Sequence, residues 1–193
     1  MAILVEQVEP SRTYALRQQV LRPHQTVERM GFPGEEVLLA ATFAAVDQSS
    51  GSIVSTAAVQ PEAPPWVPGS PTYEAHSSHA PYEVPQAAVD AAAAGTGDAP
   101  VWRLRGMATL ESVRGQGVGR RVLETAIDHV ARHGGRLLWC NARVRAIPFY
   151  ERAGFAGLGE LFDEPDVPQH LVMWRAVPPP AGAAPGSPEG AGQ

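Results

Sequence analysis

The sequence predicts a single-domain α/β protein, because stretches typical of strands alternate with stretches typical of helices along most of its length. It has 193 residues, of which 44% are hydrophobic, and this is enough for one domain with a buried core. The clearest signal lies at 101–130, where an apolar strand pattern, a glycine-rich turn and an amphipathic helical pattern follow one another.

The first elements are a strand, a helix and a hairpin. AILVEQV at 2–8 predicts the strand, and SRTYALRQQVLRP at 11–23 predicts a helix that has Ser11 as its N-cap and ends at Pro23. Two apolar runs, EVLLAATFAAVD at 36–47 and GSIVSTAAVQP at 51–61, are joined by QSSG and predict a β-hairpin.

The second half predicts a central strand, a long helix and three further strands with a short helix between them. The long helix starts at Val118 and ends at Gly134 and Gly135, which are typical of a helix C-terminus. The shorter elements are predicted by VWRLRGMATL at 101–110, RLLWCN at 136–141, AIPFYERAGF at 146–155, AGLGELF at 156–162 and QHLVMWRAV at 169–177.

Two segments differ from the rest in composition. Residues 61–100 are rich in Pro, Ala, Gly and Ser without any period, which predicts a long, mostly irregular insertion that is either functional or disordered. Residues 178–193, PPPAGAAPGSPEGAGQ, predict a disordered tail. The folded domain is therefore expected to span 1–177.

Composition and charge exclude several classes of function. The net charge of −5 argues against a general nucleic-acid binder. All 15 basic residues are Arg, so chemistry that needs a Lys amine, including a Walker A loop, is excluded. The single cysteine, Cys140, permits no internal disulfide, and neither a signal peptide nor a membrane span is evident. We expect a cytoplasmic protein.

The glycine-rich turn, residues 114–120, is the first candidate site. Gly115 and Gly117 precede a helix whose first N–H groups have no internal partners, Gly119 lies in its first turn, and Arg114, Arg120 and Arg121 add positive charge. Such a turn suits a pyrophosphate, although a glycine-rich connection without a ligand explains the three glycines as well. The spacing G-x-G-x-G is not the dinucleotide fingerprint, which disfavours a nucleotide-binding domain.

Two motifs together resemble the GNAT superfamily of acyl-CoA-dependent N-acyltransferases. RGQGVG at 114–119 fits the pattern Q/R-x-x-G-x-G/A after a strand and before a helix, and PFYERAGF follows at 148–155. The resemblance is to small bacterial GNAT proteins of undefined acceptor. It implies a mixed central sheet of about six to seven strands, flanked by about four helices, with a V-shaped acyl-CoA cleft.

The resemblance also implies roles for individual residues around acetyl-CoA, the acyl donor. Tyr150 takes the general-acid position that protonates the leaving thiolate. Many GNAT proteins carry an Asn seven residues before this Tyr; Arg143 stands there, and Asn141 takes the polar role at the strand end instead. The residues implied to contact the pantetheine arm, the thioester or the pyrophosphate are Met107, Ala108, Thr109, Arg114, Gly115, Gln116, Gly117, Val118, Gly119 and Arg120, with charge added by Arg121.

The expected reaction is transfer of an acetyl group to a primary amine, on a small molecule in preference to a protein, and GNAT proteins often form homodimers. His170 is a candidate base or acceptor contact, with Glu160 and Glu36 as weaker candidates. The acidic run at 163–166 is a solvated loop or, if it rims the acceptor site, favours a cationic amine. His129 and His133 lack a third metal ligand, so we expect no metal.

Two other functions remain open from the sequence. A non-catalytic acyl-CoA-binding sensor or assembly module would keep the glycine turn and would not need Tyr150. A protein that binds ATP or NAD at the turn is the second alternative, against which the missing Lys and the glycine spacing count.

Overall fold

A computed structural model describes residues 2–67, 83–96, 99–164 and 167–180. They form a seven-stranded mixed sheet flanked by helices, as the resemblance implied. The strands are β1 Ile3–Val8, β2 Ala41–Asp47, β3 Ile53–Pro61, β4 Val101–Thr109, β5 Leu137–Arg143, β6 Ala156–Glu164 and β7 Val167–Ala176. The α-helices are α1 Tyr14–Leu21, α2 Gln86–Ala93, α3 Val118–Arg132 and α4 Ile147–Arg152.

The strand order β1-β2-β3-β4-β5-β7-β6 contains one parallel pair, β4 and β5. These two strands are paired over three residues each, Val101–Arg103 against Leu137–Trp139. Beyond Arg103 and Trp139 the strands separate, while β3 and β7 continue to pair with their outer edges. The separation opens a V-shaped cleft in the middle of the sheet.

A bulge interrupts β4 beside this cleft. The register of β4 against β3 shifts between the pairs Ala58–Arg105 and Thr56–Ala108, and Gly106 lies in the shifted segment with φ +59°. A Cβ at Gly106 would lie 2.7 Å from the Phe32 ring and 2.9 Å from Arg17 Nε. Glycine is therefore required here by backbone conformation and by space.

Alternation along β4 and β5 gives the sheet two different faces around the cleft. On the face we call the α3 face, Trp102, Leu104, Leu138 and Cys140 belong to the core that α3 completes. On the opposite face, called the α1 face, Arg103 stacks on Trp139, and Arg105 stacks on Phe32 beside α1. The cleft thus joins two chemically different sides of the sheet.

Three differences from the sequence-based expectations have local causes. The insertion contains α2, whose Ala88 and Ala91 are buried against the sheet; alanines form its buried face, so no stripe of large apolar residues marked a helical period. β2 begins at Ala41, because Leu39 has φ +74° and leaves Leu38 exposed. β7 begins at Val167, so His170 lies inside the strand. The remainder of the insertion at 68–82 and 97–98, and the tail from 181, lie outside the described residues.

Among the described helices, none has both the length and the apolar character that crossing a bilayer requires.

Candidate active site

The cleft between the separated ends of β4 and β5 has a volume of about 640 Å³. Its wall includes the end of β4, the glycine turn, the start of α3, the end of β5, and α4. Met107, Ala108 and Thr109 all line it. The Ser55 hydroxyl donates to the Ala108 carbonyl at 3.0 Å and lies 2.7 Å from Thr109 Oγ1, which holds the end of β4 against β3.

The glycine turn leaves its backbone accessible from the cleft. Gly115 and Gly117 both have φ +76°, and a Cβ at either position would meet nothing within 4 Å. Gly117 is the N-cap of α3, so the first N–H groups of that helix point out of its N-terminal end. Gly119 has a different role: its Cβ would lie 2.8 Å from Thr109 Oγ1, so glycine lets α3 pack closely on β4.

The polar side chains of the turn are only partly directed to the cleft. Arg114 and Arg120 line it, with Arg114 Nε donating to the Thr109 carbonyl at 3.2 Å and Arg120 paired with Glu124 at 2.7 Å. The expectation that Arg121 adds charge here is wrong, because Arg121 Nη2 donates to the Ile3 carbonyl at 3.0 Å, at the far edge of the sheet. The Gln116 side chain donates through Nε2 to the Ser112 carbonyl at 3.1 Å. A ligand at the turn would therefore contact the backbone of Gln116 and not its side-chain amide.

Tyr150 is buried in the wall of the cleft on the α3 face. Its ring makes edge contacts with Phe149 and Phe155 at 5.2 and 5.3 Å, so it is a core aromatic as well as a lining residue. Its hydroxyl shares a hydrogen bond with the Cys140 thiol. Burial raises the pKa of the Tyr150 phenol well above its ordinary value, and burial also raises the pKa of Cys140. Both groups therefore keep their protons at neutral pH.

Two residues of β5 that follow Cys140 face the opposite side of the sheet. Asn141 and Arg143 lie on the α1 face, and Arg143 is opposite His170 in the register of β5 and β7. His170 is buried, with its ring stacked on Phe162 at 5.8 Å, and it lines the cleft. Arg143 Nη2 donates to the Leu21 carbonyl and so connects β5 to the end of α1.

Sequence reasoning missed three arginines of the α1 face: Arg22, Arg103 and Arg105, all of which line the cleft. The signal that could have found two of them is the alternation in VWRLRG, where arginines occupy every second position between buried Trp102 and Leu104.

The acetyltransferase (GNAT) family model matches residues 41–155, which include β2 to β5, the glycine turn and Tyr150. The chain belongs to this family. An uncharacterized N-acetyltransferase named YitI from Bacillus subtilis (strain 168) is 28% identical over 173 residues, which cover 90% of this chain and 95% of that relative.

Solved structures show the same GNAT fold. The ribosomal-protein-S18-alanine N-acetyltransferase from Escherichia coli superposes with a TM-score of 0.58 at 17% identity, covering 94% of this chain and 97% of that one. An aminoglycoside 6'-N-acetyltransferase complexed with coenzyme A also gives 0.58, at 13% identity, covering 91% and 98%. At these identities the likeness concerns the fold.

Other candidate residues of this GNAT enzyme lie away from the cleft. Glu160 is exposed on the edge strand β6, and Glu36 lies in a separate surface pocket beside Glu9. His129 donates through Nε2 to the Leu39 carbonyl at 2.9 Å, which makes it a structural residue of α3. Asp163 is exposed, whereas the side chains of Glu164 and Asp166 lie outside the described residues.

Proposed function

We propose that this enzyme transfers an acetyl group from acetyl-CoA to the primary amine of a small molecule. The observation that carries the proposal is the gap between β4 and β5, with an open glycine turn at one end and Tyr150 in its wall. An acyl donor at the turn, an acceptor at the other side of the sheet and a proton donor between them are the parts that acyl transfer requires.

The residues of the cleft fit an acyl-CoA. At Gly115 and Gly117 a ligand can approach the backbone without meeting a side chain, and the N-terminus of α3 favours negative charge. The Arg114 and Arg120 guanidinium groups would add charge toward the phosphates. The inner edge of β4 beyond Arg103 has no β5 partner, so Met107–Thr109 would bind an extended arm through backbone groups. Bound acetyl-CoA supplies the activated thioester.

Tyr150 would act as the proton donor. Because burial raises the pKa of Tyr150, the phenol stays protonated at neutral pH, and its Oη would hold the proton that the leaving thiolate, a strong base, takes up. A backbone N–H of Met107 or Ala108 would polarise the thioester carbonyl, since the Gly106 bulge redirects the strand at this point. His170 would contact the acceptor or take its proton from the α1 face.

Two relatives support the chemistry. YitI is described as an N-acetyltransferase, which supports an amine as the acceptor. The aminoglycoside acetyltransferase was solved with coenzyme A, which supports a CoA ester as the donor.

The first test is calorimetric titration of the purified protein with acetyl-CoA, and with ATP and NAD as comparison ligands. We expect selective binding of acetyl-CoA, weakened by Gly117→Glu, which puts a carboxylate into the turn. Release of free thiol in the presence of primary amines would then establish transfer. Equal binding of all three ligands, or none of acetyl-CoA, would overturn the proposal.

A further inference from the structure

Two arginines in the wall of the cleft, Arg145 and Arg152, come from the segment around α4. Arg145 lies in the 3₁₀ turn Val144–Ala146, and Arg152 is the last residue of α4; both are exposed, and both line the cleft. Among the described residues, neither side chain takes part in a hydrogen bond, an ion pair or a ring contact. Their guanidinium groups are therefore open to a ligand that enters the cleft.

The two arginines share one side of this helical segment with the aromatic ring that borders the glycine turn. Residues 145, 149 and 152 are spaced i, i+4, i+7, which places side chains on the same side of a helix, and all three line the cleft. Phe149 Cε2 lies 3.9 Å from the position of a Cβ at Gly119. Arg145 and Arg152 thus flank a ring that packs against the start of α3.

The charge on this side of the cleft exceeds what the glycine turn alone requires. Arg114 and Arg120 already lie beside the turn, where N–H groups of α3 also favour an anion. Among the residues that the structure describes, no Asp or Glu lines the cleft. A pyrophosphate at the turn accounts for the first two arginines and leaves the two of the α4 segment for another anionic group.

A CoA ester carries such a group. Besides its pyrophosphate it has a phosphate monoester on the 3′ carbon of the adenosine ribose, which bears close to two negative charges at neutral pH. Adenosine is attached to the pyrophosphate at the end away from the pantetheine arm. With the arm along β4 and the pyrophosphate at the turn, the 3′-phosphate lies outside the buried part of the cleft, where exposed side chains can reach it.

We propose that Arg145 and Arg152 bind the 3′-phosphate of the acyl donor, so that the enzyme distinguishes acetyl-CoA from its 3′-dephospho form. This inference rests on the proposed function, since it names a further contact of the same donor. A planar guanidinium suits the group, because it can donate two parallel hydrogen bonds to phosphate oxygens. The exposure of both arginines makes the contact sensitive to salt.

Calorimetric titration with acetyl-CoA and with 3′-dephospho-acetyl-CoA measures this contact without turnover. The two donors share the thioester, the arm and the pyrophosphate, so the ratio of their Kd values reports the 3′-phosphate. We expect the dephospho donor to bind about tenfold more weakly at low salt, which corresponds to the loss of a charge-assisted contact. The ratio should fall as added salt screens the contact.

Two substitutions assign the contact to the α4 segment. Arg145→Gln and Arg152→Gln should each weaken acetyl-CoA binding about threefold and leave the Kd of 3′-dephospho-acetyl-CoA nearly unchanged, so that the ratio approaches one in the double variant. Arg132→Gln is the control, because Arg132 is exposed at the C-terminal end of α3 and does not line the cleft. It lies about 20 Å along the helix from the turn, beyond a Debye length at 0.1 M salt, and the ratio should persist.

The outcomes separate this inference from the proposed function. Equal binding of the two donors by the wild type, or an unchanged ratio in the double variant, would overturn the inference and leave the acetyltransferase. A higher acceptor KM in the thiol-release assay with an unchanged ratio would also overturn it, because the arginines would then contact the acceptor. Failure of the wild type to bind acetyl-CoA would overturn the proposed function itself.

Discussion

At the scale of single residues, Tyr150 and Cys140 show how one buried contact serves both stability and chemistry. The phenol ring contacts Phe149 and Phe155, and its hydroxyl is hydrogen-bonded to the Cys140 thiol on the preceding strand, β5. Because burial raises the pKa of both groups, neither loses its proton at neutral pH. The neighbouring thiol thus holds the phenol in position with its proton in place, and the raised pKa means that only a strong base, such as a newly formed thiolate, would take that proton.

We therefore expect Tyr150→Phe to lower kcat by about a hundredfold, the usual contribution of a general acid, without weakening acetyl-CoA binding. Steady-state thiol release and calorimetry on the same preparation measure the two quantities. Tyr14→Phe is the matched control for kcat: its phenol donates to Glu35 and does not line the cleft, so kcat should persist even where the acceptor KM rises. Wild-type kcat in Tyr150→Phe would remove the general acid from the mechanism and would favour a structural role for this ring.

At the scale of elements, the glycine turn combines two demands on the backbone. Gly117, within the turn, has a left-handed conformation and is the N-cap of α3, while the space around its missing side chain stays open. Gly51, in the hairpin between β2 and β3, has nearly the same conformation, φ +72°, and equally open surroundings, yet lies outside the cleft. Substitutions at these two glycines therefore separate the effect of a left-handed conformation on stability from the effect of an added side chain on ligand binding.

Gly117→Ala and Gly51→Ala should each lower the free energy of unfolding by about 1–2 kcal/mol, because an L residue resists the left-handed region. Gly117→Ala alone should weaken acetyl-CoA binding, since its methyl group projects into the space in front of the turn. Urea unfolding and calorimetry give the two readouts. Equal acetyl-CoA affinities in the two variants would mean that the ligand does not approach Gly117.

A second element-scale prediction concerns α3 and pH. Burial lowers the pKa of His129, whose ring lies 5.5 Å from Phe43 and 5.6 Å from Trp102. The unfolded chain, with an ordinary His pKa near 6.5, then binds the proton more tightly than the folded chain. The stabilisation that neutral His129 contributes to the fold is therefore fully present above about pH 6.5 and is lost as the pH falls below that value.

The midpoint of urea unfolding should accordingly fall less between pH 7 and pH 5 in His129→Gln than in the wild type. In this variant the Gln amide can still donate a hydrogen bond to the Leu39 carbonyl. His24→Gln, at an exposed position, is the control and should follow the wild-type curve. If His129→Gln and wild type share one slope, protonation of this ring is not coupled to folding.

Elements with a strong local pattern were predictable, and those that depend on distant contacts were not. The hairpin, α3 with its glycine C-terminus and the glycine turn were predicted from spacing within a short window, whereas the place of Tyr150 was implied by the resemblance to the GNAT superfamily. α2 was missed, since its buried face consists of small alanines and carries no large apolar residues at helical spacing. Arg22 could not be placed in the cleft, because its position depends on how α1 packs across the sheet, which local spacing does not encode.

At the scale of the whole molecule, a buried ion pair connects the N-terminal helix, the 30–36 segment and the central strand. Arg17 on α1 is fully buried, pairs with Glu35, and donates to the Met30 carbonyl at 3.2 Å. Glu35 also accepts from Tyr14 Oη and from the Phe32 N–H, both at 3.1 Å. Phe32 in turn lies against the Gly106 bulge. One carboxylate thereby orients a wall of the α1 face.

Glu35→Gln should lower the free energy of unfolding by about 3 kcal/mol, because it leaves the Arg17 charge buried without its counter-ion. Glu36→Gln, one residue on and exposed, should leave the urea midpoint unchanged. The two sides of the cleft should also respond differently: in Glu35→Gln the acceptor KM should rise, since Phe32 and Arg105 lose their support, while acetyl-CoA affinity should persist at the glycine turn. Loss of acetyl-CoA affinity in step with the acceptor KM would mean that the two faces of the sheet are not independent binding surfaces.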